Sequence, residues 1–278
     1  MPRFFPILLI LLLSACAGEK AQVDPAESDS HYRLGLEFAQ YSLFQNAIEE
    51  FDLALKYNPD NFKALEKKAL VYFGLKDYEN AGKAFERVIV MRPNHAQAYV
   101  NQGMVHYMTG DKAEAVKFWE KAAVMDDSDG KAYNNLANVY KSEKKYDRAV
   151  EYYRKALERK PGQSLFMNNL AEAYRLQGNF AEAEKTLKSS LEADPKGMLT
   201  YFNLGQVYKA RKKEAEAVEA FKQSLKVNPA LLEAHYELAN LYLGRSDKKA
   251  ARKAIEKALA MDPGNAKFLE ILAQTQDS

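Results

Sequence analysis

The sequence predicts an all-α solenoid of seven helix-turn-helix repeats closed by a short C-terminal capping helix. Three observations predict it. Prolines recur at Pro59, Pro93, Pro161, Pro195, Pro229 and Pro263, spaced by 34 residues, or by 68 where Asp127 replaces one member. Alanines stand at Ala47, Ala81, Ala115, Ala149, Ala183, Ala217 and Ala251, 34 apart without a gap. Between these markers the apolar residues follow helical spacing. A fixed period of this length marks stacked supersecondary elements, none of which can bury its apolar face alone.

The first residues lie outside that pattern. Arg3 precedes an apolar run, Phe4 to Leu13. The run is too short to cross a bilayer as a helix but suits the apolar part of a signal peptide. Leu13-Ser14-Ala15-Cys16 then resembles the lipobox of bacterial lipoproteins. In that family the cysteine receives lipid and becomes the first residue after cleavage, and small residues before it admit the peptidase. The alternative is an ordinary cleaved signal with an incidental cysteine. Cys16 is the only cysteine, so no intramolecular disulfide forms, and the rest of the chain is at ease in an oxidising compartment. Residues 17–27 are polar and read as a tether reaching at most about 40 Å. Ala17 occupies the position where lipoproteins retained in the inner membrane commonly carry Asp. The resemblance therefore implies the outer membrane, facing the periplasm, or the plasma membrane in a Gram-positive owner.

Placing the proline at position 32 defines repeats 28–61, 62–95, 96–129, 130–163, 164–197, 198–231 and 232–265. Position 8 is small throughout: Gly35, Ala69, Gly103, Ala137, Ala171, Gly205, Ala239. Position 11 is aromatic or His, from Phe38 and Tyr72 through His106 to Tyr242, and position 24 is bulky, from Phe51 and Phe85 through Trp119 to Ile255. In repeat 4, Tyr133, Leu136, Ala137 and Tyr140 line one helix face, and Ala149, Tyr153, Ala156 and Leu157 line another. Small residues let the two helices approach, and the proline ends the second. These markers resemble the tetratricopeptide repeat family over nearly all of the chain after the tether. The resemblance implies a right-handed superhelical array. Departures fall early: Asp127 replaces a proline, Lys68 and Gln102 replace the usual Leu at position 7, and repeat 1 carries partial markers. After repeat 7, Phe268, Leu269, Ile271 and Leu272 read as the capping helix.

Several functions are excluded. Lys plus Arg total 40 and Asp plus Glu 38, a formal net charge of +2, too balanced for a nucleic-acid binder. His31, His95, His106 and His235 form no metal-binding spacing, and His31, His106 and His235 occupy packing positions. No catalytic or phosphate-binding motif occurs. The sequence thus points to no cofactor, no metal and no small-molecule substrate, and to a non-catalytic binder of proteins.

In this family the concave face is lined by positions 2, 5, 6, 9, 12 and 13 of the first helix. Position 6 carries Asn101, Asn135, Asn169 and Asn203, position 5 adds Asn134 and Asn168, and position 9 adds Asn138 and Asn240. The pattern resembles the asparagine ladder of O-linked N-acetylglucosamine transferase. A carboxamide both donates and accepts, so such a ladder suits the backbone of an extended peptide. Inheritance through duplication is the alternative. Lys141, Arg175 and Lys209 at position 12 form a basic column, read either as an acid-binding edge or as a solvated one. Leu70, Phe73, Val100, Met104, Tyr107 and Met108 offer an apolar contact patch if exposed together. No Lys stands at position 5, which argues against the carboxylate clamp of chaperone-binding members.

The lipobox, tether and repeats together resemble the pilotin-type lipoproteins of type IV pilus assembly, which help a secretin assemble in the outer membrane. The expected partner is a protein or extended peptide segment, with the membrane engaged through lipid on Cys16. Adapters for peptidoglycan enzymes or exopolysaccharide export are the alternatives. The regulatory arm of a glycosyltransferase is a remote one, because only 13 residues follow repeat 7.

Overall fold

A computed structural model describes residues 23–125 and 129–276, and all regular structure among them is helical. The lipobox with Cys16, most of the tether, and Asp127 lie outside the described residues. The chain divides into two compact units, one ending at Pro93 and one starting at Asn94. The first contains α1 (Pro25–Gln40), α2 (Phe44–Tyr57), α3 (Phe62–Gly74) and α4 (Tyr78–Met91). The second contains α5 (Ala96–Met108), α6 (Lys112–Val124), α7 (Lys131–Ser142), α8 (Tyr146–Arg159), α9 (Ser164–Gln177) and α10 (Phe180–Ala193). It continues with α11 (Met198–Ala210), α12 (Glu214–Val227), α13 (Leu232–Gly244), α14 (Lys248–Met261) and α15 (Ala266–Gln274). Each repeat supplies one helical pair, and α15 follows the seventh.

The tether is shorter than expected. Asp24 caps α1, its Oδ1 accepting from the Ala26 and Glu27 amides at 3.0 and 3.1 Å, while its own amide donates to the Tyr57 carbonyl at 2.9 Å. Pro25 fits the first helical turn, where its missing N–H costs nothing. Pro25, Ala26 and Glu27 therefore belong to the first helix.

The turn inside every repeat has one backbone solution. Position 15 is left-handed in all seven: Ser42, Lys76, Gly110, Lys144, Gly178, Lys212 and Ser246. The next residue caps the second helix when it is Asp: Asp77, Asp111 and Asp247 each accept an amide three residues on, at 2.9 to 3.1 Å. In the six repeats that carry the proline, it drives the C-cap residue before it out of helical geometry, as at Asn58 with φ −142° and ψ 94°.

Packing explains the small residues. At Gly103 a Cβ would lie 2.5 Å from the Trp119 indole nitrogen, which donates to the Val100 carbonyl at 3.0 Å. Gly130, which precedes α7, has φ +68°, and a Cβ there would meet the Ala156 carbonyl oxygen at 2.5 Å. Without the proline that other repeats carry before this point, glycine brings the chain against α8. The capping helix buries Phe268 and Ile271 in one cluster with Leu238 and Ile255. Leu269, expected on the same face, is 47% exposed.

Candidate peptide-binding face

Helices α7, α9 and α11 carry the asparagines, and the structure divides them into two classes. Asn134 and Asn168, at position 5, are buried. Asn169 Nδ2 donates to Asn134 Oδ1 at 2.9 Å, and Asn203 Nδ2 donates to Asn168 Oδ1 at 2.9 Å. Each position 6 amide thus ties its repeat to position 5 of the repeat before. Asn168 Nδ2 in turn donates to the Ser164 carbonyl and to Thr200 Oγ1, both at 2.8 Å, and lies 3.4 Å from Ser190 Oγ. Ser190 and Thr200 are fully buried. The expectation that all these carboxamides face a partner is corrected here: Asn134 and Asn168 hold the repeats together. The Oδ1 atoms of Asn169 and Asn203 accept no hydrogen bond from the described residues.

Asn135 differs for a reason visible one repeat earlier, where position 5 is Val100 and offers no side-chain acceptor. It too is buried, and its Oδ1 accepts from Asn134 Nδ2 at 3.5 Å, but its own Nδ2 donates to no described residue. Asn101 Oδ1 accepts from Gln97 Nε2 at 2.8 Å. In repeat 7, Asn240 donates to the Tyr236 carbonyl, and position 6 is Glu237.

The basic column is largely neutralised. Arg175 makes two 2.8 Å bonds to Glu172, and Lys209 pairs with Glu237 at 2.6 Å. The Glu172 bonds hold the Arg175 guanidinium above its ordinary range. Lys141 alone of the three has no carboxylate partner among the described residues. Burial pushes its ammonium below the usual lysine range, against the pull of Glu172, and it lies 5.9 Å from the centre of the Tyr153 ring. Burial also raises the Tyr153 hydroxyl well above its usual range, with Glu172 adding to the effect, so it stays a donor and bonds Asn138 Oδ1 at 2.5 Å.

These groups border a recess of about 440 Å³. Met104, Tyr107, Trp119 and Leu176 supply apolar surface, and Asn135, Asn138, Lys141 and Ser142 supply polar groups. Tyr107 packs on Trp119 with ring centres 5.7 Å apart. The predicted apolar patch is only partly surface. Val100 is buried beneath it, Met104 and Tyr107 are half-buried, and Met108 is 48% exposed. In the first compact unit, Leu70 is exposed and Phe73 packs edge-on against Tyr78.

Sequence models of the tetratricopeptide repeat match residues 32–91, 80–134 and 202–266, and a second such model matches 128–196 and 162–230. The chain belongs to the tetratricopeptide repeat family. Members of this family typically act as non-catalytic scaffolds that bind other proteins. Searching curated proteins found no match. Among solved structures, the Cut9–Hcn1 hetero-tetramer of the APC/C is similar with a TM-score of 0.69 and 18% identity over 91% of this chain. This chain spans 48% of that one, about half its length. Pseudomonas aeruginosa pilF is similar with a TM-score of 0.65 and 16% identity, over 77% of this chain and 97% of pilF. YrrB, described as a tetratricopeptide repeat protein with an unusual peptide-binding site, has a TM-score of 0.52 and 21% identity, over 68% of this chain and 97% of its own. At these identities the likeness is one of fold.

Among the described residues of this tetratricopeptide repeat chain, no three or more His, Cys, Asp or Glu side chains are grouped to hold a metal ion, and no helix is long and apolar enough to cross a membrane. The histidines pack. His31 Nδ1 meets Glu50 at 2.6 Å and stacks on Tyr57, and His106 stacks on Phe118. His235 Nε2 bonds the Pro229 carbonyl at 2.9 Å. Sequence reasoning missed the roles of Glu172 and Glu237, although Glu237 occupies the position where the preceding repeats carry Asn.

Proposed function

We propose that this protein is a lipid-anchored scaffold of the bacterial envelope that holds an extended segment of a partner protein. The observation that carries the reading is the Lys141 recess. A desolvated ammonium without a carboxylate partner adjoins apolar surface and the Asn135 Nδ2 donor, which suits a peptide bearing an apolar side chain beside an acidic one. The Oδ1 atoms of Asn169 and Asn203, which accept no bond from the described residues, extend the face as acceptors for backbone N–H groups. The lipobox at Cys16 supports anchoring, at the outer membrane facing the periplasm. The type IV pilus secretin is the partner we favour, on the resemblance to pilotin-type lipoproteins.

The experiment joins anchoring to binding. Cys16→Ser should abolish fatty-acid labelling and release the protein from membranes. A photo-crosslinking residue at Leu176, on the rim of the recess, should capture the secretin in intact cells, and Lys141→Glu should remove that product. Truncating a desolvated charge pair costs about 2–5 kcal/mol, enough to abolish capture. Equal capture by the Lys141→Glu protein would refute the recess as the binding site. Continued lipid labelling of the Cys16→Ser protein would refute the anchor.

A further inference from the structure

A second recess lies in the C-terminal repeats and shares no residue with the one at Lys141. Its volume is about 660 Å³, bounded by α12, α13 and α14. The surface is mostly apolar, with Leu238 and Tyr242 from α13, Leu225 from α12 and Met261 from α14. Ala250, Ala254 and Ala260 keep the α14 side low, so another backbone can come close. Lys222 and Lys226 stand on the α12 side, and Lys253 and Lys257 on the α14 side. All four are exposed, and none pairs with a carboxylate among the described residues.

We propose that this recess docks an acidic amphipathic α-helix of a partner protein. Each lysine pair is spaced by four residues, about 6 Å along its helix. Two rows of positive charge therefore flank an apolar floor along its length. That distribution matches carboxylates spread down both edges of a helix, whose apolar stripe recurs at helical spacing. A single lipid headgroup would call for the cations gathered at one mouth. An extended peptide would bring N–H donors needing acceptors. The Tyr242 hydroxyl aside, the recess offers little: the Pro229 carbonyl at its edge is already taken by His235. A helix satisfies its own backbone and needs only apolar contact and counter-charge. His235 is held below the ordinary histidine range first by burial, against the pull of its bond to the Pro229 carbonyl, with Lys257 adding a smaller push downward.

The test uses the full chain and a display library of helical peptides of about 16 residues, four to five turns. Enriched peptides should carry an apolar stripe flanked by Glu or Asp. Their affinity should fall about tenfold or more in a Lys222→Gln, Lys226→Gln, Lys253→Gln, Lys257→Gln variant, and should weaken in high salt as charge pairing predicts. A photo-crosslinker on the winning peptide should mark α12 and α14, which reads the site even if the variant were destabilised. Enrichment without acidic residues, crosslinks elsewhere, or no enrichment at all would overturn the proposal. So would anionic phosphatidylglycerol vesicles that bind through these four lysines while no acidic helix does.

Discussion

Asn168 shows how one side chain can be misassigned by its type. A carboxamide on a face expected to bind peptide suggests a free donor and acceptor, yet Asn168 spends both on Ser164, Thr200 and Asn203. Asn168→Ala should destabilise the protein by about 1–3 kcal/mol, because buried partners lose their bonds. Urea unfolding measures this, and an unchanged midpoint would return Asn168 to the binding face. The same scale governs pH response. His235 has its folded-state pKa lowered from 6.5, mainly by burial. The unfolded chain therefore takes up a proton that the folded chain refuses. Stability from this group is complete above about 6.5 and is lost as pH falls below it. His235→Gln should flatten the fall in thermal midpoint between neutral and mildly acidic pH; an identical slope in both proteins would refute the assignment.

At the scale of the element, the intra-repeat turn demands a left-handed residue at position 15, and only Gly110 and Gly178 meet it with glycine. Lys144 pays with φ +60°. Lys144→Gly should relieve that strain, offset in part by the greater entropy of glycine in the unfolded chain, for a net gain of about 0.5–1 kcal/mol. A lowered thermal midpoint would mean that the lysine side chain contributes more than its backbone costs. The turn was not read from the sequence because lysine rarely adopts this geometry. The helices themselves were legible, since small residues at position 8, bulky ones at position 24 and proline at position 32 each act locally.

For the molecule as a whole, repeats lean on neighbours, so damage stays local. Phe268 of α15 is buried with Leu238 and Ile255, and Phe268→Ala should cost about 3–5 kcal/mol at that end. Amide exchange should quicken in α13 and α14 and stay unchanged in α7 and α8. A uniform loss of protection across both regions would show that residues 94–278 unfold as one cooperative body instead.

The sequence by itself determined the repeat, its register and the family, because a period of 34 residues writes the same local packing rules seven times. It also located the faces on which Asn101, Asn135, Asn169 and Asn203 recur. Tertiary structure alone decided which of the asparagines are spent between repeats and which cations remain without a counter-charge. Those outcomes depend on the residue about one repeat away: Val100 leaves the Asn135 Nδ2 without an acceptor, while Asn134 and Asn168 engage Asn169 and Asn203. Hydrogen bonding and desolvation are properties of juxtaposed groups, and only folding brings those groups together.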